Sequence, residues 1–175
     1  MKTSSVRLRR IIFLTCSFAV LLGNTNAAQI SGPVEDRLAI GDQLTQYSYR
    51  WDGKDAAGFA ALFTGDGVME RYRDGNLVPE SKLLGNKAIF DYAHASHHGR
   101  LADRQTRHHF SGLVFLELTA TSALTENMAL ITHQTAADSA PVIRSSGIYR
   151  ITWVKQSDGW KMAKRMLFTD SFTSP

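Results

Sequence analysis

The sequence predicts an α+β fold in which helices pack on one face of a curved sheet, and three observations predict it. Apolar residues in the first half recur at helical spacing. From Thr106 onward, runs rich in β-branched and aromatic residues alternate with turn signals. Asp158-Gly159 lies between two such runs and favours a tight hairpin. Helices first and strands after indicate segregated layers rather than a βαβ alternation.

In chain order, Lys2, Arg7, Arg9 and Arg10 precede the apolar run 11–22, and small residues follow at Thr25, Ala27 and Ala28. Residues 1–28 therefore read as an export signal cleaved near Ala27 or Ala28. The run is shorter than the roughly 20 residues that a spanning helix needs, so no membrane association is expected after processing, and the mature protein is expected in the periplasm or outside the cell. Residues 29–33 form a linker, 34–170 one domain and 171–175 a C-terminal tail. Within the domain, Ile40, Leu44, Tyr47 and Trp51 are spaced four, three and four apart, which marks one face of a helix ended by Asp52-Gly53. Asp55 is placed to cap a second helix over 56–63, stopped by Gly65-Asp66-Gly67. A strand is expected over 68–72 and a third helix over 85–98. An antiparallel meander follows over 110–119, 128–135, 143–155 and 160–169.

The 175 residues suffice for one well-buried core without disulfides. Four of the 20 Lys and Arg residues lie in the leader, which has no acidic residue, so 16 basic residues face 16 acidic ones after cleavage. A neutral domain gives no support to nucleic-acid binding. The single cysteine, Cys16, leaves with the leader, and thiol catalysis and thiolate metal sites leave with it. No phosphate-binding glycine loop, Gly-x-Ser-x-Gly elbow or dinucleotide fingerprint occurs, and no cofactor is expected.

The ordered set Tyr47-x-x-x-Trp51-Asp52-x-x-Asp55, Leu62-Phe63-x-x-Asp66-Gly67, Thr106-Arg107-His108, Gly147-x-Tyr149 and Asp158-Gly159-Trp160-Lys161 resembles the SnoaL-like group of the nuclear-transport-factor-2-like superfamily. The resemblance spans about residues 34–169. It implies a conical α+β barrel whose curved antiparallel sheet wraps the N-terminal helices around a hydrophobic pocket, and it implies homodimers or homotrimers. Members include scytalone dehydratase, a bile-acid dehydratase, hexachlorocyclohexane dehydrochlorinase, steroid isomerase, polyketide cyclases and non-enzymatic binders, so the fold alone does not define an activity.

Carried over residue by residue, the dehydratase and dehydrochlorinase branch has its catalytic Asp at Asp52 and its catalytic His at His108. A catalytic Arg in the last strand matches Arg165, and Tyr47 stands where the branch carries Tyr or Lys. Trp51 and Tyr149 of the shared motifs are candidate substrate-binding residues. The hairpin between Phe115 and Met128 is longer than in scytalone dehydratase, leaving His133 as the candidate for that enzyme's second histidine.

An Asp–His pair suits proton abstraction beside a leaving group, because the carboxylate orients the imidazole, fixes its tautomer and stabilises the imidazolium that forms. Arg165 would hold a departing anion or developing oxyanion, and Tyr47 would donate a hydrogen bond. Simple alternation after the turn sets Arg165 opposite Trp160, Met162, Met166 and Phe168. His109 alternates to the face opposite His108. His94, His97 and His98 have helical spacing that could ligate a metal, but they fit better as a solvated helix end, and no metal is expected. The reading that results is a cofactor-independent lyase, a dehydratase or other elimination enzyme, or an isomerase, acting on a small hydrophobic cyclic or aromatic substrate. A non-catalytic binder of hydrophobic ligands and a purely structural dimerisation domain are the alternatives.

Overall fold

The computed structural model describes residues 32–171; the expected signal, most of the linker and the last residues of the tail lie outside the described residues. Three helices, α1 (Val34–Asp52), α2 (Ala56–Ala60) and α3 (Asn86–His98), pack against a seven-stranded sheet. Its strands are β1 (Phe63–Arg73), β2 (Asn76–Leu77), β3 (Leu83–Leu84), β4 (Arg104–Leu118), β5 (Ser122–Thr135), β6 (Val142–Gln156) and β7 (Gly159–Thr169). No described helix is long and apolar enough to cross a membrane.

The α1 stripe behaves as its spacing predicts: Ile40, Leu44, Tyr47 and Trp51 are all buried. Asp55 caps α2 by accepting the Gly58 amide at 2.8 Å. The sheet runs β2-β1-β7-β6-β5-β4, with β3 on β1. Strands β4 to β7 form the expected antiparallel meander, and Gln156 pairs with Gly159 across a two-residue turn where Gly159 takes φ 116°. Strand β1 lies parallel to β7, so the sheet is mixed, and it stays open, with β4 at one edge. The α+β class and the curved wrap over N-terminal helices hold; closure into a full barrel does not occur.

Two local differences matter for the site. Gly65-Asp66-Gly67 does not separate helix from strand; it lies inside β1 at a register shift against β7 between Phe63 and Val68. A side chain at Gly67 would come within 2.9 Å of the Phe63 side chain and 3.0 Å of the Thr64 carbonyl, so the irregularity needs a residue without Cβ. In β7 a second shift opposes Thr152 and Trp153 to Lys164 and Met162, leaving Ala163 as the extra residue. Trp160 and Met162 are buried before this bulge, and Arg165 is buried after it. The bulge therefore overturns the simple alternation and turns Arg165 inward with Trp160 and Met162.

The core ties the layers together with satisfied polar groups as well as apolar contact. Trp153 Nε1 donates to Thr125 Oγ1 at 2.8 Å, and Trp160 Nε1 and Lys155 Nζ both donate to Asp36 of α1, at 2.9 and 2.7 Å. Phe59, Ile89 and Ile151 are fully buried in the same core.

Candidate active site

The last two turns of α1 deliver Tyr47 and Trp51 on the buried face and Asp52 at the end. Strand β4 passes beside this end, and its period of two points Thr106 and His108 the same way. The Asp52 carboxylate gathers three donors from β4: Thr106 Oγ1 to Oδ1 at 2.7 Å, the His108 backbone amide to Oδ2 at 2.8 Å, and His108 Nδ1 to Oδ1 at 2.8 Å. Gln105 Nε2 also donates to the Asp52 carbonyl at 2.9 Å, satisfying one of the open carbonyls of the helix end. Burial alone would raise the Asp52 pKa, but the His108 hydrogen bond and charge, with Thr106 and the His108 amide, bring it below the ordinary value. Asp52 is therefore ionised near neutral pH. A carboxylate can only accept, so Nδ1 carries the proton and Nε2 is the nitrogen left for a substrate.

His108 opens onto a cavity of about 270 Å³ that also meets Tyr47, Trp51, Tyr149, His133 and Arg165. The rings of Tyr47 and Trp51 stand 6.0 and 6.2 Å from His108, edge to face. Arg165, 6 % exposed, donates from Nη1 to the Glu70 carbonyl at 3.0 Å, while its Nε is buried without a partner. Its guanidinium sits 5.3 Å from the Tyr149 ring centroid and 6.0 Å from that of Tyr47. Burial raises the pKa of both tyrosines, Tyr149 well above 10, so both enter the cavity as neutral phenols.

Six of the seven sequence-predicted site residues thus border one cavity, and the seventh, Asp52, stands behind His108, to which it is bonded. His133 pairs with Thr106 across β4 and β5 and reaches the cavity from there, with Nδ1 buried and unpartnered. The long hairpin that obscured its alignment is made of long strands around a short turn at Thr119–Thr121. His109 is exposed on the other face, 3.3 Å from Thr132 Oγ1.

The pocket expected to be hydrophobic carries more charge than the catalytic residues alone supply: Arg71, Arg100, Arg144 and Glu80 border it alongside Met69, Leu83, Ile131 and Leu167. Sequence reasoning also gave Thr106 no role, although alternation two residues before His108 signals it. Nothing in the sequence marks Arg100 or Arg144, which reach the cavity from separate places in the fold. The motif glycine Gly147 is explained by close approach, since a Cβ there would collide with the Phe168 carbonyl of the neighbouring strand.

The histidine cluster of α3 splits. His98 Nδ1 lies 2.9 Å from the His94 carbonyl, and these two histidines are exposed, whereas His97 is 2 % exposed with its ring 4.9 Å from Trp51. The helix end is solvated on one side only, because His97 belongs to the core. Among the described residues, no three His, Cys, Asp or Glu side chains are grouped to hold a metal. Burial pushes the His97 pKa down, with His98, Lys54 and Arg100 adding to it. A histidine depressed in the folded state contributes stability that is present above its unfolded value, near 6.5, and lost as pH falls. Thermal melts at pH 7.5 and 5 should show wild type losing Tm in acid, and His97→Phe, which keeps an aromatic ring against Trp51, losing distinctly less. Equal losses would show that other groups set this acid limb.

The SnoaL-like domain family matches residues 33–166. No curated protein matches the sequence. A Mycobacterium tuberculosis protein of unknown function is 28% identical with TM-score 0.65, covering 81% of this chain and 78% of its own. A candidate scytalone dehydratase from Novosphingobium aromaticivorans is 25% identical with TM-score 0.64, covering 78% and 85%. An NTF2-like protein with a cystatin-like fold from the same organism is 18% identical with TM-score 0.65, covering 80% and 85%, and supports the fold alone. With the family match spanning most of its length and the NTF2-like architecture in place, the chain belongs to the SnoaL-like domain family.

Proposed function

We propose that the protein is a cofactor-independent lyase or isomerase that removes a proton from carbon in a small cyclic or aromatic substrate. The observation that carries this reading is that His108, on the wall of a cavity that also holds Arg165, is backed by a buried Asp52 at 2.8 Å from its Nδ1. His108 Nε2 takes the proton beside an activating carbonyl, and Asp52 stabilises the imidazolium that results. Arg165 and the neutral Tyr47 phenol stabilise the enolate oxygen; a fixed positive charge in a dry site is most effective where negative charge develops.

In an elimination, the electron pair of the broken C–H bond forms the new double bond and expels a leaving group from the adjacent carbon. A departing hydroxide takes the proton back from His108 and leaves as water, whereas a halide leaves as the anion. In an isomerisation, His108 returns the proton to a different carbon. His133, across the strand pair from Thr106, is the second candidate to meet the leaving group. Trp51 and Tyr149 supply aromatic walls for the substrate ring. The test is a panel of cyclic β-hydroxyketones, halogenated rings and unsaturated ring ketones, assayed with wild type and the His108 variant argued in the Discussion.

The leader supports export, and the exposed apolar side chains Val114, Leu116, Met128 and Leu130 on β4 and β5 support assembly into a homodimer or homotrimer. Intact-mass analysis of exported protein should find an N-terminus near Ala28 or Gln29, and sedimentation of the same sample should find two or three copies. Full-length protein in the membrane fraction, or a monomer at micromolar concentration, would overturn the respective assignment.

A further inference from the structure

The charged lining of the cavity is lopsided. Four guanidinium groups border it, from Arg71, Arg100, Arg144 and Arg165, against two carboxylates, Glu70 and Glu80. The Glu70 carboxylate is already engaged by Lys164 at 2.8 Å, Lys82 at 3.8 Å and the Tyr72 hydroxyl at 2.9 Å, none of which borders the cavity. The domain outside the leader is neutral in its Lys, Arg, Asp and Glu count, so the excess of positive charge belongs to the cavity and not to the protein as a whole.

Two of the guanidiniums form no ion pair with a carboxylate among the described residues. Arg100 follows α3 and is fixed by neutral groups, Tyr92 Oη at 3.2 Å and Ser96 Oγ at 3.3 Å. Arg144 is exposed near the start of β6 and forms no ion pair among the described residues. The carboxylate whose charge it feels, Asp138, accepts from the Thr135 amide and hydroxyl, both at 2.7 Å. His133 borders the same part of the cavity, and its buried Nδ1 is unpartnered. Burial and then the charges of Arg104, Arg144 and Arg100 hold the His133 pKa down, so the ring stays neutral beside them. Arg104 itself is paired with Asp103 at 2.8 Å. Deeper in, Arg165 is buried, without an ion pair, and with Nε unsatisfied. A buried guanidinium lacking a carboxylate is costly unless a ligand completes it.

We infer that the substrate carries a carboxylate that docks between Arg100 and Arg144 beside His133, while its ring lies against Trp51, Ile131 and Leu167 with the reacting carbon toward His108 and Arg165. This deepens the proposed function and rests on it for the identity of the reacting end. Planar guanidiniums suit the two oxygens of a carboxylate. The division of labour follows from burial: the exposed pair can meet a charged group that still keeps some water, whereas Arg165 is reserved for charge that develops during reaction. A cavity of about 270 Å³ lies near the low end of the usual range of roughly 300–1,000 Å³ for ligand sites, which favours a substrate of one or two rings.

The experiment measures binding, not turnover, so that its failure differs from failure of the proton-transfer reading. Quenching of tryptophan fluorescence is titrated with 2-naphthoate and with its neutral isostere 2-naphthamide, using the processed full-length protein. Wild type should bind the carboxylate about tenfold more tightly than the amide, with the advantage shrinking as salt rises. The double variant Arg100→Gln, Arg144→Gln should lose that advantage while binding the amide as before. Both residues are exposed, so the fold should survive, and a thermal melt checks it. His108→Ala should keep the preference for the carboxylate. Equal binding of the two probes by wild type, binding of neither, or a preference that survives the double variant and disappears only in Arg165→Gln would each overturn the assignment.

Discussion

His108→Ala should lower turnover of the panel's best substrate by about 10²–10⁴-fold, the usual value of a positioned general base, while His109→Ala should stay within a few-fold of wild type. The two histidines are chain neighbours with opposite fates. The His108 side chain is 6 % exposed and held to Asp52, whereas His109 is exposed and lies 3.3 Å from Thr132 Oγ1. The alanine variant should also remain folded. Asp52 keeps the Thr106 hydroxyl and the backbone amide of residue 108, two of its three donors, when the imidazole is removed. Its carboxylate is not left as an unsatisfied buried charge, which is the situation that destabilises strongly. Melts of both variants should therefore lie close to wild type even as their rates diverge. Turnover should be unaffected by EDTA, since no step is assigned to a metal. If His108→Ala turns over normally, His108 is not the base; if wild type turns over no member of the panel yet binds in the cavity, the protein is a hydrophobic-ligand binder.

The parts legible in the sequence are those governed by short-range periodicity. The stripe Ile40, Leu44, Tyr47, Trp51 reads as a helix face because four positions repeat at one period, and all four are buried. Asp55 as a cap and Asp158-Gly159 as a hairpin are likewise set by residues within a few positions of each other. Asp52 and His108 are 56 positions apart, and only the resemblance to a family joined them. What stayed hidden depends on sheet register. The extra residue Ala163 reverses the inward face of β7, so Arg165, which alternation counted across it sets opposite Trp160 and Met162, shares their buried side. The parallel pairing of β1 with β7 joins strands separated by most of the domain, so no local signal carries it. The arginines of the cavity rim lie in three separate segments, each indistinguishable in sequence from an ordinary solvated residue. His97 was misjudged for a related reason: its neighbours His94 and His98 are solvated, and the face of α3 that meets Trp51 follows from tertiary packing.

Asp52→Asn should be as damaging to catalysis as loss of the imidazole, with a rate decrease on the order of 10⁴, the value known for a carboxylate that sets a catalytic tautomer, and with little change in the melt. The hydrogen-bond pattern explains why. In wild type both carboxylate oxygens accept, Oδ2 from the His108 amide and Oδ1 from Thr106 Oγ1 and His108 Nδ1. Asparagine offers one acceptor and one donating amine in the same space. Its oxygen must face the His108 backbone amide, because a backbone N–H cannot switch role. The amine then faces Thr106 Oγ1 and Nδ1; the hydroxyl rotates to accept, and the imidazole accommodates by giving up its Nδ1 proton. Nε2 becomes protonated as a result and can no longer accept a proton from substrate. Every polar group remains paired, so stability is preserved, while the base points its proton at the carbon it should attack. The signature is a pair of ring-nitrogen NMR shifts: Nδ1–H in wild type and Nε2–H in Asp52→Asn. Wild-type protein already in the Nε2–H form, or an Asn variant that retains both Nδ1–H and full turnover, would show that Asp52 is only a structural anchor for the end of α1.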